Sequence, residues 1–241
     1  MTELLVARLQ SHLPLDQADR TGLLGLPVRV LRIPGRRSDL AGTLARDHIH
    51  VLVDGFACRY RDLPDGRRQI ISLLVAGDVI DLRRFVLGGE LSPLAALSPL
   101  GIAAIPDASL FALLETAPRI TRALWSTTLI EESISREWLV SIGKRSAIER
   151  VAHLLCETYL RLAAVGRNDG HRFPLPLTQS ELADALGLST VHVNRTLQEL
   201  RRLNLIAFHS GIVELFDFDA LAQLGLFSLQ YLHLRVPARP R

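Results

Sequence analysis

The chain has 241 residues, 48% hydrophobic and 22% charged, with a formal net charge of +3. That balance describes a globular protein able to bury two modest cores, and it excludes a disordered acidic or basic tail protein. No apolar run reaches the roughly 18–20 residues of a membrane span, and the start lacks the basic, apolar and small-residue regions of a secretory signal, so the expected location is the cytoplasm with no membrane partner.

From residue 2 to residue 24 the pattern predicts two short helices. Leu4, Leu5, Leu9 and Leu13 form one apolar stripe, and Asp16 is placed to cap the second helix.

Between residues 28 and 105 short apolar runs alternate with turn signals at Pro34-Gly35, Asp54-Gly55, Asp65-Gly66, Gly77-Asp78, Gly88-Gly89 and Gly101. Residues 49–53 and 69–75 read as strands. The spacing predicts an all-β barrel or sandwich rather than an α/β sheet, because no amphipathic helices separate the strands. His48 and His50 alternate along one strand, which suits a surface or cross-strand role better than a metal.

Helical periodicity returns at Asp107. Pro118 suits a first turn, and from there to Arg145 only Gly143 interrupts, which predicts one helix of more than 25 residues. Ile120, Leu124, Ile134, Trp138 and Ile142 form its apolar seam, read here as a surface for pairing with a second copy; the alternative is packing within one chain. Ser146 and Glu149 form a capping box, so a new helix starts there and the joint is a hinge and domain boundary. The expected units are residues 1–116, 117–145 and 146–241. Val151, Leu154, Leu155, Leu160 and Leu162 face inward on the new helix, and a polar loop at 166–170 follows.

Residues 178–203 carry the strongest pattern. Thr178 with Glu181 is a capping box, Leu182 and Leu186 share a face, Ala183 is small, and Gly187 suits a left-handed stop. Leu188 fills the corner, Ser189 caps a second helix, and Val193, Leu197 and Leu200 point inward. This is the pattern of a helix-turn-helix, whose second helix is expected to meet the major groove of double-stranded DNA, the alternative being an ordinary helical hairpin in an all-α core. Thr190, Val191, Asn194 and Arg195 are left outward: arginine suits guanine, asparagine suits adenine, and threonine or valine suits a thymine methyl. Residues 207–215 read as strand, tight turn and strand, which makes a winged helix with His209 and Ser210 near the phosphate backbone. A short helix from Asp219 to about Leu224 and an apolar tail with Tyr231, Leu232 and Leu234 follow.

Enzymatic chemistry finds no support: the chain has no phosphate-cradling glycine loop, metal-ligand set or nucleophile–base arrangement. The two cysteines, Cys58 and Cys156, cannot hold a zinc ion or an iron–sulfur cluster within one chain, and read as buried packing residues.

The order of a β-rich domain, long helix, hinge and winged helix-turn-helix resembles the Crp/Fnr superfamily of bacterial transcription regulators, relatives of the cyclic-AMP receptor protein. Residues 65–80, with Gly77-Asp78, look like the family's strand, turn and apolar segment, and residues 177–189 look like its first DNA-binding helix. The resemblance implies an α+β fold: N-terminal helices with a cyclic-nucleotide-binding-like jelly roll, a dimerisation helix and a winged helix-turn-helix with a C-terminal extension. It implies a homodimer on a palindromic site, and RNA polymerase as a partner if the protein activates. It places Gln179, Ser189 and His192 on phosphates, beside Thr178, and Thr190, Val191, Asn194 and Arg195 on bases. Val191 stands where several members carry a glutamate, so the best-known operator is not implied.

The sensory domain departs further. Asp81 or Glu90 stands in for the family's ribose-binding glutamate, but Leu91-Ser92-Pro93 supplies no arginine for the cyclic phosphate. Losing that charge-assisted partner costs about 2–5 kcal/mol, which argues against cyclic AMP. Arg83 and Arg84 read as solvated surface residues, and no residue argues for haem. No cofactor is identified. The competing reading is an effector- or protein-binding module that kept the fold without DNA binding.

Overall fold

The computed structural model describes residues 2–36, 39–40 and 42–235. The N-terminal helices are α1 (Thr2–Gln10) and α2 (Gln17–Leu24), and Asp16 caps α2 through a reciprocal capping box with Asp19. Leu5, Val6 and Leu9 are buried.

The β region is built from β1 (Arg29–Ile33), β2 (His48–Asp54), β3 (Ala57–Asp62), β4 (Arg68–Leu74), β5 (Val79–Ile80), β6 (Leu94–Ala96) and β7 (Leu100–Pro106). All pair antiparallel, in two sheets ordered β1-β7-β2-β5 and β4-β3-β6. Ile33, Leu52, Leu74, Ile80, Leu94 and Ile102 form a buried cluster drawn from both sheets. Gly55 turns β2 into β3 at φ +84°, and a Cβ there would lie 2.1 Å from the Pro99 carbonyl oxygen, so the turn requires glycine.

Two sequence expectations are corrected here. Gly101 is not a turn residue but lies inside β7, opposite Arg32, where a Cβ would meet the Arg32 guanidinium at 3.0 Å. The strands are not free of helices either, because α3 (Leu82–Leu87) follows β5, capped by Asp81. Its short Leu-Arg-Arg-Phe-Val-Leu run is too brief to show helical periodicity.

Helix α4 (Asp107–Thr116) leads into α5 (Pro118–Lys144), one unbroken helix of 27 residues with proline in its first turn. Arg145 is extended, and Ser146 opens α6 (Ala147–Ala163) with the expected capping box. Next come β8 (Arg172–Pro174), α7 (Gln179–Leu186), α8 (Thr190–Arg202), β9 (Ile206–His209), β10 (Ile212–Leu215), α9 (Phe218–Leu224) and a 3₁₀ turn at Leu229–Leu232. The last sheet is ordered β8-β10-β9.

The seam of α5 faces its own chain. Ile120 and Leu124 pack with Leu5, Leu9, Ile49 and Ile105, whereas Ile134 and Trp138 pack with residues of α6, α7 and β4. Ile142 is half-buried, in contact range of Gly187. For Ile120, Leu124, Ile134 and Trp138 that apolar face is covered from within, as in the single-chain alternative, whereas Ile142 keeps part of its surface free. The free face lies about 100–140° round the helix from the seam, where Trp125 and Leu129 are 66% and 67% exposed and Leu139 74%.

Candidate nucleic-acid interface

The two helices of the motif start and stop on local chemistry. Thr178 Oγ1 accepts from the Glu181 backbone N–H at 3.2 Å, and Glu181 Oε2 accepts from the Thr178 N–H at 2.7 Å. Together these satisfy donors that the first turn of α7 would leave free. Gly187 ends α7 at φ +63°, a left-handed conformation, and its N–H donates to the Ala183 carbonyl. Ser189 Oγ then accepts from the His192 N–H at 3.2 Å to start α8.

Packing fixes which face of α8 is free. Val193, Thr196, Leu197 and Leu200 are buried against the same cluster as Leu182, Ala183 and Leu186. Thr190, Val191, His192 and Arg195 are exposed and Asn194 is half-buried. Val191 is 74% exposed, so its side chain projects from the free face of α8. Among the described residues, the side chains of Gln179, Thr190, Asn194 and Arg195 make no hydrogen bond or ion pair, so their donors stand free. Thr178 and Ser189 are exposed as well, with their hydroxyls engaged in capping.

The wing is the tight hairpin β9–β10. His209 pairs with Ile212, and the two residues between, Ser210 and Gly211, have φ of +51° and +75°. Positive φ at both central positions matches the twist of a two-residue hairpin. His209 and Ser210 are exposed at its tip.

A second site lies upstream, in a cleft of about 320 Å³ between the β region and α5. Arg59, Asp81, Arg83, Ser92, Thr128 and Arg161 are among its lining residues. Asp81 is not free there: its carboxylate accepts from the Arg84 N–H at 3.3 Å and the Ser92 N–H at 2.8 Å. Glu90 is exposed and paired with Arg46. Arg83 is solvated as expected, but Arg84 is corrected to a buried residue, bonded to Asp107 and to the Arg46 and His48 carbonyls. For His50 only the surface alternative is corrected: it lies in β2 opposite Ile80 and Ala104, is fully buried with both ring nitrogens unpartnered, and burial pushes its pKa down to about 4. Cys58 and Cys156 are buried, and burial pushes both thiols up to about 12. Among the described residues no group of His, Cys, Asp and Glu is placed to hold a metal ion, and no helix is long and apolar enough to cross a membrane.

Sequence reasoning missed the junction at Asp78. Its carboxylate meets Arg8 of α1 at 3.0 Å and Arg161 of α6 at 2.7 Å, and accepts from the Val75 N–H. Arg161 also donates to Glu157, which accepts from Trp138 of α5 and from the Tyr231 hydroxyl at 2.9 Å. Burial works against the Asp78 carboxylate, yet the two guanidiniums hold its pKa below the usual range. Nothing local in the sequence marks this network, because its members come from three helices, the turn between β4 and β5, and the C-terminal segment.

Comparison with known proteins agrees with this geometry. Residues 149–224 match the Crp-like helix-turn-helix domain. The nitrogen fixation regulation protein FixK of Bradyrhizobium diazoefficiens is 32% identical over 167 residues, 69% of each chain. The transcriptional activator protein FnrL of Cereibacter sphaeroides is 30% identical over 165 residues, 67% of this chain and 65% of the relative. The solved structure of FixK2 from Bradyrhizobium japonicum superposes with a TM-score of 0.69 at 25% identity, covering 83% of this chain and 98% of that one.

Proposed function

Because the chain belongs to the Crp/Fnr family of transcription regulators, we propose that it reads a palindromic DNA site as a homodimer through the free face of α8. The observation that carries the reading is the set of unpaired, outward side chains at the start of that helix. Arg195 presents a bidentate fork suited to guanine O6 and N7, Asn194 suits adenine N6 and N7, and Val191 suits a thymine methyl. Gln179, Ser189 and His192 sit at two helix starts, where backbone N–H groups and the positive dipole end favour phosphate. Thr178 joins them, and His209 and Ser210 approach the backbone from the wing. The chain is a regulator rather than an enzyme.

The second copy is proposed to sit on the Trp125–Leu129–Leu139 face of α5. RNA polymerase enters the reading as a partner because FnrL is named an activator. The cytoplasm is the location this function requires.

Substitution at two positions separates base reading from phosphate anchoring. On a footprinted genomic duplex, Arg195→Ala is expected to lose about 1–3 kcal/mol, confined to one base position per half-site. Gln179→Ala is expected to weaken all sequences alike while leaving the salt slope unchanged, because a neutral amide neutralises no phosphate charge. Loss of all discrimination in Gln179→Ala with none in Arg195→Ala would reverse the two roles. Absence of any salt-sensitive DNA affinity would favour the reading as a binding module without DNA.

A further inference from the structure

An α-helix leaves its last four carbonyls without partners inside the helix. In α7 the Ala183 carbonyl accepts from the Gly187 and Leu188 N–H groups, which form the turn itself. The carbonyls beyond it are met by two side chains from outside the motif. Gln69, on β4 of the β region, donates from Nε2 to the Asp184 carbonyl at 2.8 Å and reaches Ala185 at 3.4 Å. The same amide donates to the Ile70 carbonyl at 2.9 Å, which fixes its orientation. Arg150, on α6, donates from Nη1 to the Leu186 carbonyl at 3.0 Å and reaches Gly187 at 3.4 Å. Its Nε donates at 2.8 Å to the carbonyl of Arg145, the residue joining α5 to α6.

The end of α7 is thus held from two directions, by the sensory unit through Gln69 and by the hinge through Arg150. A guanidinium at a helix C-terminus also meets the negative end of the dipole. Arg36, on the loop after β1, grips the other end of α7 by pairing with Glu181 and donating to the Pro176 carbonyl. Gly187 and Leu188 lie between this anchored end and α8, so the anchor sets the direction in which the recognition helix leaves the turn.

We propose that Gln69 and Arg150 are positioning residues for DNA recognition: they fix the turn of the motif against the β region and the hinge, and so aim α8. The proposal rests on the DNA-reading function above. Neither residue lies on the recognition face, and both are half-buried. The recognition side chains stay exposed in this arrangement, so the anchors pre-orient α8 rather than mask it.

Gln69→Glu keeps the side-chain shape but turns a donor into a carboxylate facing carbonyls; Gln69→Leu and Arg150→Met remove the donors. Binding by fluorescence anisotropy is compared on the footprinted duplex and on a scrambled duplex of equal length. Each variant is expected to lose about ten-fold on the specific duplex, within the usual range of coupling between sites, and nothing on the scrambled one. Amide exchange at Gly187 and Leu188 is expected to speed up in the free variants. Arg150→Lys, which keeps the cation, is expected to recover part of the loss. Unchanged or tighter specific binding would overturn the proposal, as would an equal loss on both duplexes. A wild-type chain that fails to discriminate the duplexes refutes the DNA-reading function instead. In that event unchanged exchange at Gly187 and Leu188 still overturns the anchoring, and faster exchange upholds it.

Discussion

Arg161→Met is expected to lower the stability of the free protein by about 3–5 kcal/mol, read as a shift of the urea midpoint at unchanged slope. The reason is that one buried guanidinium serves two buried carboxylates. It meets Asp78 at 2.7 Å and Glu157 at 3.2 Å, and also donates to the Leu73 carbonyl at 3.0 Å. Methionine fills similar space but leaves Glu157 with neutral donors alone and Asp78 with Arg8 and the Val75 N–H. Adding Glu157→Gln to Arg161→Met is expected to recover part of the loss, since a neutral amide no longer needs a cation; with Glu157→Gln alone as the fourth corner, the cycle measures the coupling of the pair. A loss below about 1 kcal/mol, the range of exposed pairs, would show that the network is solvated.

The same network predicts a pH dependence. The folded-state pKa of Asp78 is depressed, so its contribution is present above the ordinary carboxylate range and is lost as pH falls through the folded value. Asp78→Asn should remove that acid-side component from the stability profile.

Leu129→Glu is expected to make the protein monomeric and to reduce affinity for a palindromic site by about 10²–10⁴, the advantage that two linked half-site contacts provide. Leu129 and Trp125, one helical turn apart, are more than half exposed, and Leu139 and Val140 extend the same side of α5. An exposed apolar stripe of this kind on a long helix marks an interaction surface. Because Leu129 touches little of its own chain, the variant should keep the wild-type secondary structure by circular dichroism and its affinity for a single half-site. Sedimentation and anisotropy read the two effects separately. A dimer that survives both Leu129→Glu and Trp125→Ser would place the second copy elsewhere.

What was legible in the sequence was local. Thr178 with Glu181, Gly187 and Ser189 are cap and stop signals acting within a few residues; α7 begins and ends on the first three, and α8 begins on Ser189. The length of α5 was legible because proline opens it and none interrupts it. Which of its faces is buried was not. The helix carries two apolar stripes, and only tertiary packing of α1, β2, β7 and α6 decides that Ile120, Leu124, Ile134 and Trp138 turn inward. Charged residues show the same limit more sharply. Arg84 reads as a surface residue until Asp107 and two carbonyls enclose it, and Asp78 finds Arg161 across 83 positions. Gln69 and Arg150 carry no sequence signature, because their acceptors are backbone carbonyls.

The central claim is that α8 reads a symmetric DNA site. Selection of the purified chain on a random duplex pool, followed by sequencing of the bound fraction, tests it most directly. The account predicts enrichment of a two-fold symmetric site with half-sites about one helical turn apart, roughly 10 base pairs from centre to centre. A bound fraction with the base composition of the starting pool, or an enriched site without symmetry, would contradict it.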